Sequence, residues 1–361
     1  MLIFHPAAPN DAGPLVLGLA EVRRELAERQ RTAFLAAGAD EVEIVAGPPD
    51  GLSFGERLAA VVRAPGTAAG GAIVLGSGSI PLARAADLRR FVEVAAGPSG
   101  HALANNRYSA DVVAVSRAAD LVELPPLPAD NALPRWLEER AGVAVTDFRS
   151  RWRLGVDIDT PLDVLLLGGP AARTFHVTAP LIGERLAALA DVLTNRRAEL
   201  LVSGRVSAAT LRWLESGVAC RVRALVEERG LHAASRLAQS GATTVSRPPR
   251  SVLGELLDRD GPESLATTVS RLADAAVIDT RVLLAHRHGA QESGWPAAED
   301  RFASDLLLPV SIADPWLRAL TESAVGPGST PLSDHPILLG GHTLVNGGLR
   351  LLAQRARAGK R

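Results

Sequence analysis

Short apolar segments alternate with amphipathic helical segments along the first half of the chain, and this alternation restricts the fold more than any other feature. Apolar strands are predicted at 2–5, 42–45 and 72–75, with a long helix at 17–37 between the first two. Such alternation is typical of an α/β fold whose sheet is mostly parallel. Ligands of these sheets bind beyond the carboxyl ends of the strands. We therefore expect functional residues in the loops that follow strands.

The length of the chain predicts two domains. Its 361 residues exceed what one hydrophobic core usually serves. Two glycines and a proline at 168–170 indicate the boundary, so we predict one α/β domain at 1–169 and a second at 170–361. Strands of the second domain are predicted at 200–203, 222–226, 276–284 and 336–339.

Charge and composition exclude several classes of protein. The formal charge is −1, and Arg and Glu are interspersed, so no basic surface for nucleic acid is expected. No apolar run is long enough to span a membrane. The single cysteine, Cys220, excludes a disulfide framework. These features predict a cytoplasmic protein whose partners are small molecules, with neither nucleic acid nor membrane among them. Homo-oligomerisation stays open.

The segment 152–163 reads as an apolar strand that ends in two carboxylates and then opens a helix. Asp157 and Asp159 are one residue apart, so on a strand both side chains would point to the same side and converge on one cation. Thr160, a proline and Asp163 are typical of a helix start. Two interpretations stay open. Asp157 and Asp159 bind a metal ion or a phosphate group, or Asp159 or Thr160 caps the helix.

Two further loops are rich in polar residues. In the loop 101–111, Asn105 and Asn106 offer donors and acceptors and Arg107 can pair with a phosphate or carboxylate, whereas the structural alternative is a turn. The glycine-rich segment 340–348 joins a predicted strand to a helix. Its glycines either leave backbone amides open to an anion or serve close packing. The candidate ligand-binding residues of this segment are Gly341, His342 and Asn346.

Asp279 and Arg281 interrupt a predicted apolar strand. On a strand they share one face, and we expect either residue to pair with the charged residues at 300–301 in an ion-pair network, or both to form a second site for an acidic ligand. Arg205 follows another predicted strand. A third interpretation therefore places catalysis in the second domain, around His342, Asp279 and Arg281.

Four segments of the first 170 residues occur in a characteristic order and spacing, at 35–42, 50–58, 74–81 and 157–163. They resemble, in turn, the turn after the first helix, the start of the helix near the nucleotide, the strand that normally ends in a metal-binding aspartate, and the closing motif of the GT-A nucleotidyltransferase superfamily. The resemblance is closest to the molybdenum-cofactor guanylyltransferase-like and 2-phospho-lactate guanylyltransferase-like proteins. It does not extend to the second domain.

The resemblance implies a GT-A-like (Rossmann-like) domain that binds a nucleotide or phosphorylated metabolite, with metal-assisted nucleotidyl transfer as its reaction. It implies Mg²⁺ held by Asp157 and Asp159 as metal-binding and catalytic residues. The ligand contacts that we expect in this domain are Ser77, Ser79, Asn105, Asn106 and Arg107.

Two departures from the superfamily pattern favour the fold over the activity. The loop 6–14 has no basic residue where these enzymes hold the phosphates with Gly, Arg and Lys. Gly78, or Ser77 or Ser79 if the register is shifted by one residue, stands where the metal-binding aspartate is expected, and none of the three is a carboxylate. The alternative interpretation is therefore a catalytically silent ligand-binding or scaffold protein, or an enzyme whose site lies in the second domain.

Overall fold

A computed structural model gives the structure of the chain, and it describes residues 1–47, 51–64, 70–127, 130–227, 249–326 and 335–358. These residues form an α/β protein with two sheets, which confirms the predicted fold class. They fall into two compact units. The first is Met1–Ala12 with Ala20–Ile158, and the second is Gly13–Leu19 with the described residues from Asp159 onward. The expected domain boundary at 169–170 lies within the second unit.

The described residues of the first unit form a sheet of six strands in the order β2-β1-β3-β5-β4-β6. Strand β5 runs antiparallel to β3 and β4, and every other neighbouring pair is parallel. The elements, in chain order, are β1 (Leu2–Pro6), α1 (Pro14–Ala36), β2 (Glu43–Gly47), α2 (Phe54–Val62), β3 (Ala72–Gly76), α3 (Ala85–Ala95), β4 (His101–Ala104), β5 (Val112–Val115), α4 (Leu133–Glu139) and β6 (Ala144–Asp147).

Helices cover both faces of this sheet, which explains why its strands are continuous apolar runs. Along β3, Ile73 and Leu75 pack into one core cluster, while Ala72 and Val74 pack into the other. Successive strand residues point to opposite faces, so both faces must be apolar when both are buried. The loops at the strand ends are then the part of this layer where polar side chains can gather.

The described residues of the second unit form a parallel sheet of four strands in the order β10-β9-β7-β8. No helix in the described ranges is both long and apolar enough to cross a membrane. The elements, in chain order, are α5 (Pro161–Leu167), α6 (Arg173–His176), α7 (Pro180–Thr194), β7 (Glu199–Gly204), α8 (Ala208–Gly217), β8 (Arg221–Val226), α9 (Val252–Asp260), α10 (Leu265–Ser270), β9 (Ala275–Asp279), α11 (Thr280–His288), α12 (Ala298–Asp305), α13 (Pro315–Val325), β10 (Ile337–Gly340) and α14 (Leu349–Ala358).

Two predicted strands are wrong. The apolar run 276–284 is not one strand, because β9 ends at Asp279 and α11 begins at Thr280. The side chain of Asp279 accepts a hydrogen bond from the backbone N–H of Arg281 and caps this helix. The strand expected before Asp157 is also absent from the described residues, which form a 3₁₀ turn at Trp152–Gly155 instead.

The polar loop 101–111 is shorter than predicted. Its first four residues form β4, which pairs with β5 and β6. The loop that remains at the strand end runs from Asn105 to Asp111.

Candidate functional site

Each sheet contains a point at which the strand order reverses. In the first sheet β1 lies between β2 and β3, and in the second β7 lies between β8 and β9. The chain therefore leaves the first strand toward one neighbour and later returns to the opposite neighbour. The connections diverge there and leave a crevice at the carboxyl ends of the strands. We call these two places the β1/β3 edge and the β7/β9 edge.

At the β1/β3 edge, His5 and Ser77 join the ends of the two strands. The His5 Nδ1 atom lies 3.0 Å from the Ser77 Oγ atom. Burial, and after it the positive charges of Arg23 and Arg24, lower the pKa of His5 below its ordinary value. The imidazole is therefore neutral near pH 7, and two arginines of α1 lie within electrostatic reach of it.

The loop after β3 contacts the segment that contains Asp157. Ser79 forms a single antiparallel bridge with Asp157, and the Ile158 N–H donates to the Gly78 carbonyl at 2.9 Å. A Cβ atom at Gly78 would lie 2.7 Å from the Ile158 carbonyl oxygen, too close for any side chain. The Arg23 Nε atom donates to the same carbonyl at 2.7 Å. A guanidinium thus lies beside the position where the resemblance places the metal-binding aspartate.

This edge does not fit the Mg²⁺ site that the resemblance implies. Position 78 has no room for a carboxylate, and the adjacent cation of Arg23 would repel a metal ion. Across the described ranges, no three or more His, Cys, Asp or Glu side chains are grouped so that they could hold a metal. Asp157 lies one residue before the end of the first unit, and the exposed Asp159 is the first residue of the following stretch of the second unit.

Asn105 holds the loop 105–111 in place. Its Oδ1 atom accepts from the backbone N–H groups of Asp111 (3.0 Å) and Val112 (3.3 Å). Its Nδ2 atom donates to the Asp111 carboxylate (2.7 Å) and to the Leu154 carbonyl (2.8 Å). These four bonds use the full capacity of a buried amide. They support the structural interpretation of Asn105.

The rest of this loop is less buried. The Asn106 Oδ1 atom accepts from the backbone N–H of Tyr108 (3.0 Å) in a local turn. Arg107 forms an ion pair with Glu138. The Tyr108 ring is half exposed, and the Arg149 guanidinium lies 4.8 Å from its centre. The Tyr108 ring and Arg107 of this loop thus lie near the end of the first sheet, together with Arg149 from the segment after β6.

At the β7/β9 edge, Arg205 and Asp279 form an ion pair between the ends of the two strands. The fully buried Asp279 carboxylate accepts from Arg205 Nε at 2.6 Å and from Nη2 at 3.1 Å. Burial opposes this charge, but Arg205 and Arg281 hold the pKa of Asp279 below its ordinary value. Gly204 has a φ of 125°, and a Cβ there would lie 2.3 Å from the Asp279 Cβ. Only glycine permits this approach.

Arg281 pairs with Asp305 rather than with residues 300–301, which corrects the sequence expectation. Both Arg281 Nη atoms donate to the fully buried Asp305 carboxylate, at 2.5 and 2.7 Å. Asp300 instead accepts from the backbone N–H groups of Ala313 and Asp314. The ion-pair network that we predicted therefore exists, with a different acidic partner.

Asn346 forms hydrogen bonds that connect the segment after β10 with the loop after β7. The buried Asn346 amide donates to the carbonyls of Arg205 and His342, both at 2.9 Å, and accepts from the Ser207 N–H at 2.8 Å. The part-exposed His342 is close enough for its charge to lower the pKa of Asp279. The three residues predicted in 340–348 are therefore at the same edge as Arg205.

Asp163 also contributes to this unit, through the helix start that the sequence predicted. Thr160 caps α5, and the Asp163 Oδ2 atom accepts from the N–H groups of Asp159 (3.0 Å) and Thr160 (2.8 Å). The Asp163 Oδ1 atom is buried without a hydrogen-bond partner in the described residues. Burial, and then the charge of Asp159, raise the pKa of Asp163 to about 7.

Sequence reasoning did not select His5, Arg23 or Asp163 as site residues. For His5 a signal existed, because it ends a predicted first strand. Arg23 lies on a helix and is placed by tertiary packing. These assignments are based on geometry, because no protein-family model and no curated protein matches the chain.

Proposed function

We propose that this chain is a cytoplasmic, nucleotidyltransferase-like protein whose first unit binds a nucleotide or another phosphorylated metabolite at the β1/β3 edge. The observation that carries the proposal is the gathering of His5, Ser77, Ser79 and Asp157 where the strand order reverses. This is the place at which α/β sheets bind ligands.

The positive charge that would neutralise a phosphate at this edge comes from helix α1 rather than from the loop after β1. The loop 6–14 contains no basic residue, but α1 supplies Arg23 and Arg24 within electrostatic reach of His5. Arginine donates hydrogen bonds in a fixed fork that matches phosphate oxygens. The bond from Arg23 to the Ile158 carbonyl fixes one of these two guanidinium groups.

Nucleotidyl transfer is the reaction to test, because the superfamily that the chain resembles performs it. Such transfer depends on positioning and on neutralising the charge of the phosphates. The edge offers Arg23 for charge and Ser77 and Asp157 for hydrogen bonding. The catalytically silent alternative predicts the same binding without release of pyrophosphate.

A thermal-shift titration with each of the four nucleoside triphosphates, in the presence of Mg²⁺ or of EDTA, tests the proposal. A ligand at 100 times its Kd stabilises the folded state by about 2.7 kcal/mol, which is easily measured. We expect one triphosphate to raise the Tm, and Ser77→Ala and Arg23→Gln to remove most of the rise. Matched controls are Ser216→Ala and Arg31→Gln, which alter exposed residues.

Three outcomes separate the interpretations. A rise that requires Mg²⁺ and is lost in Asp157→Asn and Asp159→Asn, together with pyrophosphate release, supports the transferase. A rise that is equal in EDTA supports binding without a metal. No rise with any triphosphate contradicts a nucleotide as the ligand of the first unit.

A further inference from the structure

The second unit contains a cavity that lies away from both sheet edges. The cavity has a volume of about 770 Å³, lies between α5, α7 and α14, and is open to solvent. Small-molecule sites have volumes of roughly 300–1,000 Å³. Protein interiors are close-packed and contain few voids larger than a water molecule, so a gap of this size between packed helices calls for an explanation. The residues that line it are separate from those of the function proposed for the first unit.

The wall of the cavity is mainly aliphatic. Leu165 of α5, Leu186 of α7 and Leu352 of α14 are buried and present part of their surface to the cavity. Among the described lining residues, the only aromatic ring is that of His176, which is exposed. Such a wall suits an alkyl chain, whose transfer out of water is favourable, and offers no aromatic pair for a stacked base.

Gly183 keeps the cavity open on the side of α7. It lies in the first half of the helix Pro180–Thr194, where glycine is one of the least favourable residues. Close packing does not require it, because a Cβ atom at this position would meet no heavy atom within 4 Å and its φ is not positive. Ala187 and Ala190 follow on the same helix face and also line the cavity. The space that Gly183 leaves therefore accounts for a glycine at this position.

Arg355 places a guanidinium at the rim of the cavity. Its Nη2 atom donates to the Leu166 carbonyl in the last turn of α5. A Cβ atom at Gly168 would lie 2.9 Å from this Nη2 atom, so the glycine lets the guanidinium approach the end of the helix. The Arg355 side chain is exposed, and a ligand that enters from solvent can reach it.

Among the described residues, Arg355 has no acidic partner. Its bond to the α5 carbonyl uses Nη2 alone. Burial lowers the pKa of Arg355, and no carboxylate in the described ranges offsets this effect. Burial acts in the same direction on the pKa values of Arg205 and Arg281, but their acidic partners raise both above the ordinary value. Arg355 thus brings a positive charge without a counter-charge to the rim of an aliphatic cavity.

We propose that this cavity binds an aliphatic monocarboxylate, with the carboxylate beside Arg355 and the alkyl chain along the leucines of α5, α7 and α14. The carboxylate supplies the missing negative charge and accepts charge-assisted hydrogen bonds from the guanidinium nitrogens that the α5 carbonyl does not use. Asp191 also lines the cavity and disfavours a second negative group on the ligand. The ligand class is therefore a carboxylic acid with one ionised group and an apolar tail.

Isothermal titration calorimetry of the full chain tests this site, with hexanoate, octanoate, decanoate and the neutral octanol as probes. Burial of an alkyl chain changes the heat capacity, so titrations at two temperatures detect binding even where the heat at one of them is zero. Each methylene that leaves water strengthens binding roughly fourfold, so we expect the affinity to rise by this factor per added methylene until the chain fills the cavity.

Gly183→Leu tests the cavity by filling it. Leucine is a better helix former than glycine and the position has open space, so the variant should fold with an unchanged or higher Tm. We expect its affinity for octanoate to fall roughly tenfold or more, since one leucine side chain displaces several methylenes of the ligand. The control Glu184→Leu adds the same side chain to α7 at an exposed position outside the lining and should bind as the wild type does.

Arg355→Gln tests the charge, because glutamine can still donate to the α5 carbonyl. We expect roughly tenfold or more weaker binding of octanoate, unchanged binding of octanol, and recovery of most of the octanoate affinity in Arg355→Lys. Arg357→Gln is the matched control. Arg357 donates in the same way to the Gly217 carbonyl at the end of α8, but it does not line the cavity.

Each outcome supports or overturns the site. Chain-length-dependent binding that is weakened in Gly183→Leu, and for octanoate alone in Arg355→Gln, supports it. The absence of heat with all carboxylates at both temperatures overturns it, as does unchanged binding in folded Gly183→Leu. Equal effects of Arg355→Gln on octanoate and octanol, or of Arg355→Gln and Arg357→Gln on octanoate, overturn the carboxylate as the recognised group. None of these variants lies in the first unit, so the result is independent of nucleotide binding there.

Discussion

Asp163 should make the stability of the protein depend on pH in an unusual direction. Its carboxyl group is completely buried, and burial together with the charge of Asp159 raises its pKa to about 7 from an ordinary value of 3.8. Two backbone N–H groups donate to Oδ2, while Oδ1 has no partner in the described ranges. The folded state therefore keeps a proton on Asp163 at pH values where the unfolded chain has lost it.

The magnitude follows from the linkage between proton binding and folding. Between about pH 4 and pH 7 the folded state binds more protons than the unfolded state, so the free energy of unfolding falls as the pH rises. The shift from 3.8 to about 7 is roughly 3 units, and each unit corresponds to about 1.4 kcal/mol. The loss is absent below pH 4 and reaches about 4 kcal/mol above pH 7.

Asp163→Asn removes the titration but keeps an oxygen that can accept both backbone hydrogen bonds. We expect the variant to gain stability relative to the wild type by about 1.4 kcal/mol per pH unit between pH 5 and 7, and to level off above pH 8. Urea denaturation at a series of pH values measures this difference, with the exposed Glu215→Gln as control. A difference that stays constant, or that falls as the pH rises, would refute the argument.

Three further predictions follow from the same structure. Glu299 accepts hydrogen bonds from two backbone N–H groups in the first turn of α1, so Glu299→Ala should lower the free energy of unfolding measured in urea by about 1–2 kcal/mol. The control Glu322→Ala, at an exposed position, should not lower it, and equal effects of the two variants would contradict the capping role. Arg281→Met should lower the free energy of unfolding by about 3–5 kcal/mol, because the Asp305 carboxylate stays buried without its partner. The double variant Arg281→Met/Asp305→Leu should recover most of this loss. No recovery would argue against an unpaired charge as the cause. Burial raises the pKa of Cys220 to about 11, so a thiol reagent at pH 8 should react with the folded chain roughly tenfold or more slowly than with the unfolded chain, and equal rates would contradict this.

The elements that could be predicted are those with strong local signals. The strands Leu2–Pro6 and Ala72–Gly76 agree with the predicted segments 2–5 and 72–75, because each apolar run stops at a proline or a glycine. The strand His101–Ala104 was missed because it has only four residues, two of them alanine, which favours strands weakly. The run 276–284 was wrongly predicted as one strand, because an apolar pattern alone cannot distinguish a buried strand from a buried helix.

The candidate site was predictable only in part, because the local sequence shows which residues follow a strand but not which side chains are brought together by packing. Ser77, Ser79 and the segment 340–348 follow strands, so their position at a sheet edge was expected. Arg23 resembles any arginine on a solvated helix, and only its bond to the Ile158 carbonyl distinguishes it. Sequence spacing also could not identify the partner of Arg281, since the packing of α12 brings Asp305 to it.

The helix α1 belongs to both units, and this has a consequence for synthesis on the ribosome. Its residues up to Leu19 belong to the second unit, and its residues from Ala20 belong to the first. The backbone N–H of Leu15 finds its acceptor in Glu299, 284 residues later. At 5–20 residues per second, the ribosome needs about 15–60 s to reach that partner. The first turn of α1 therefore emerges early and waits without its cap, and the second unit can be completed only after most of the chain has been translated.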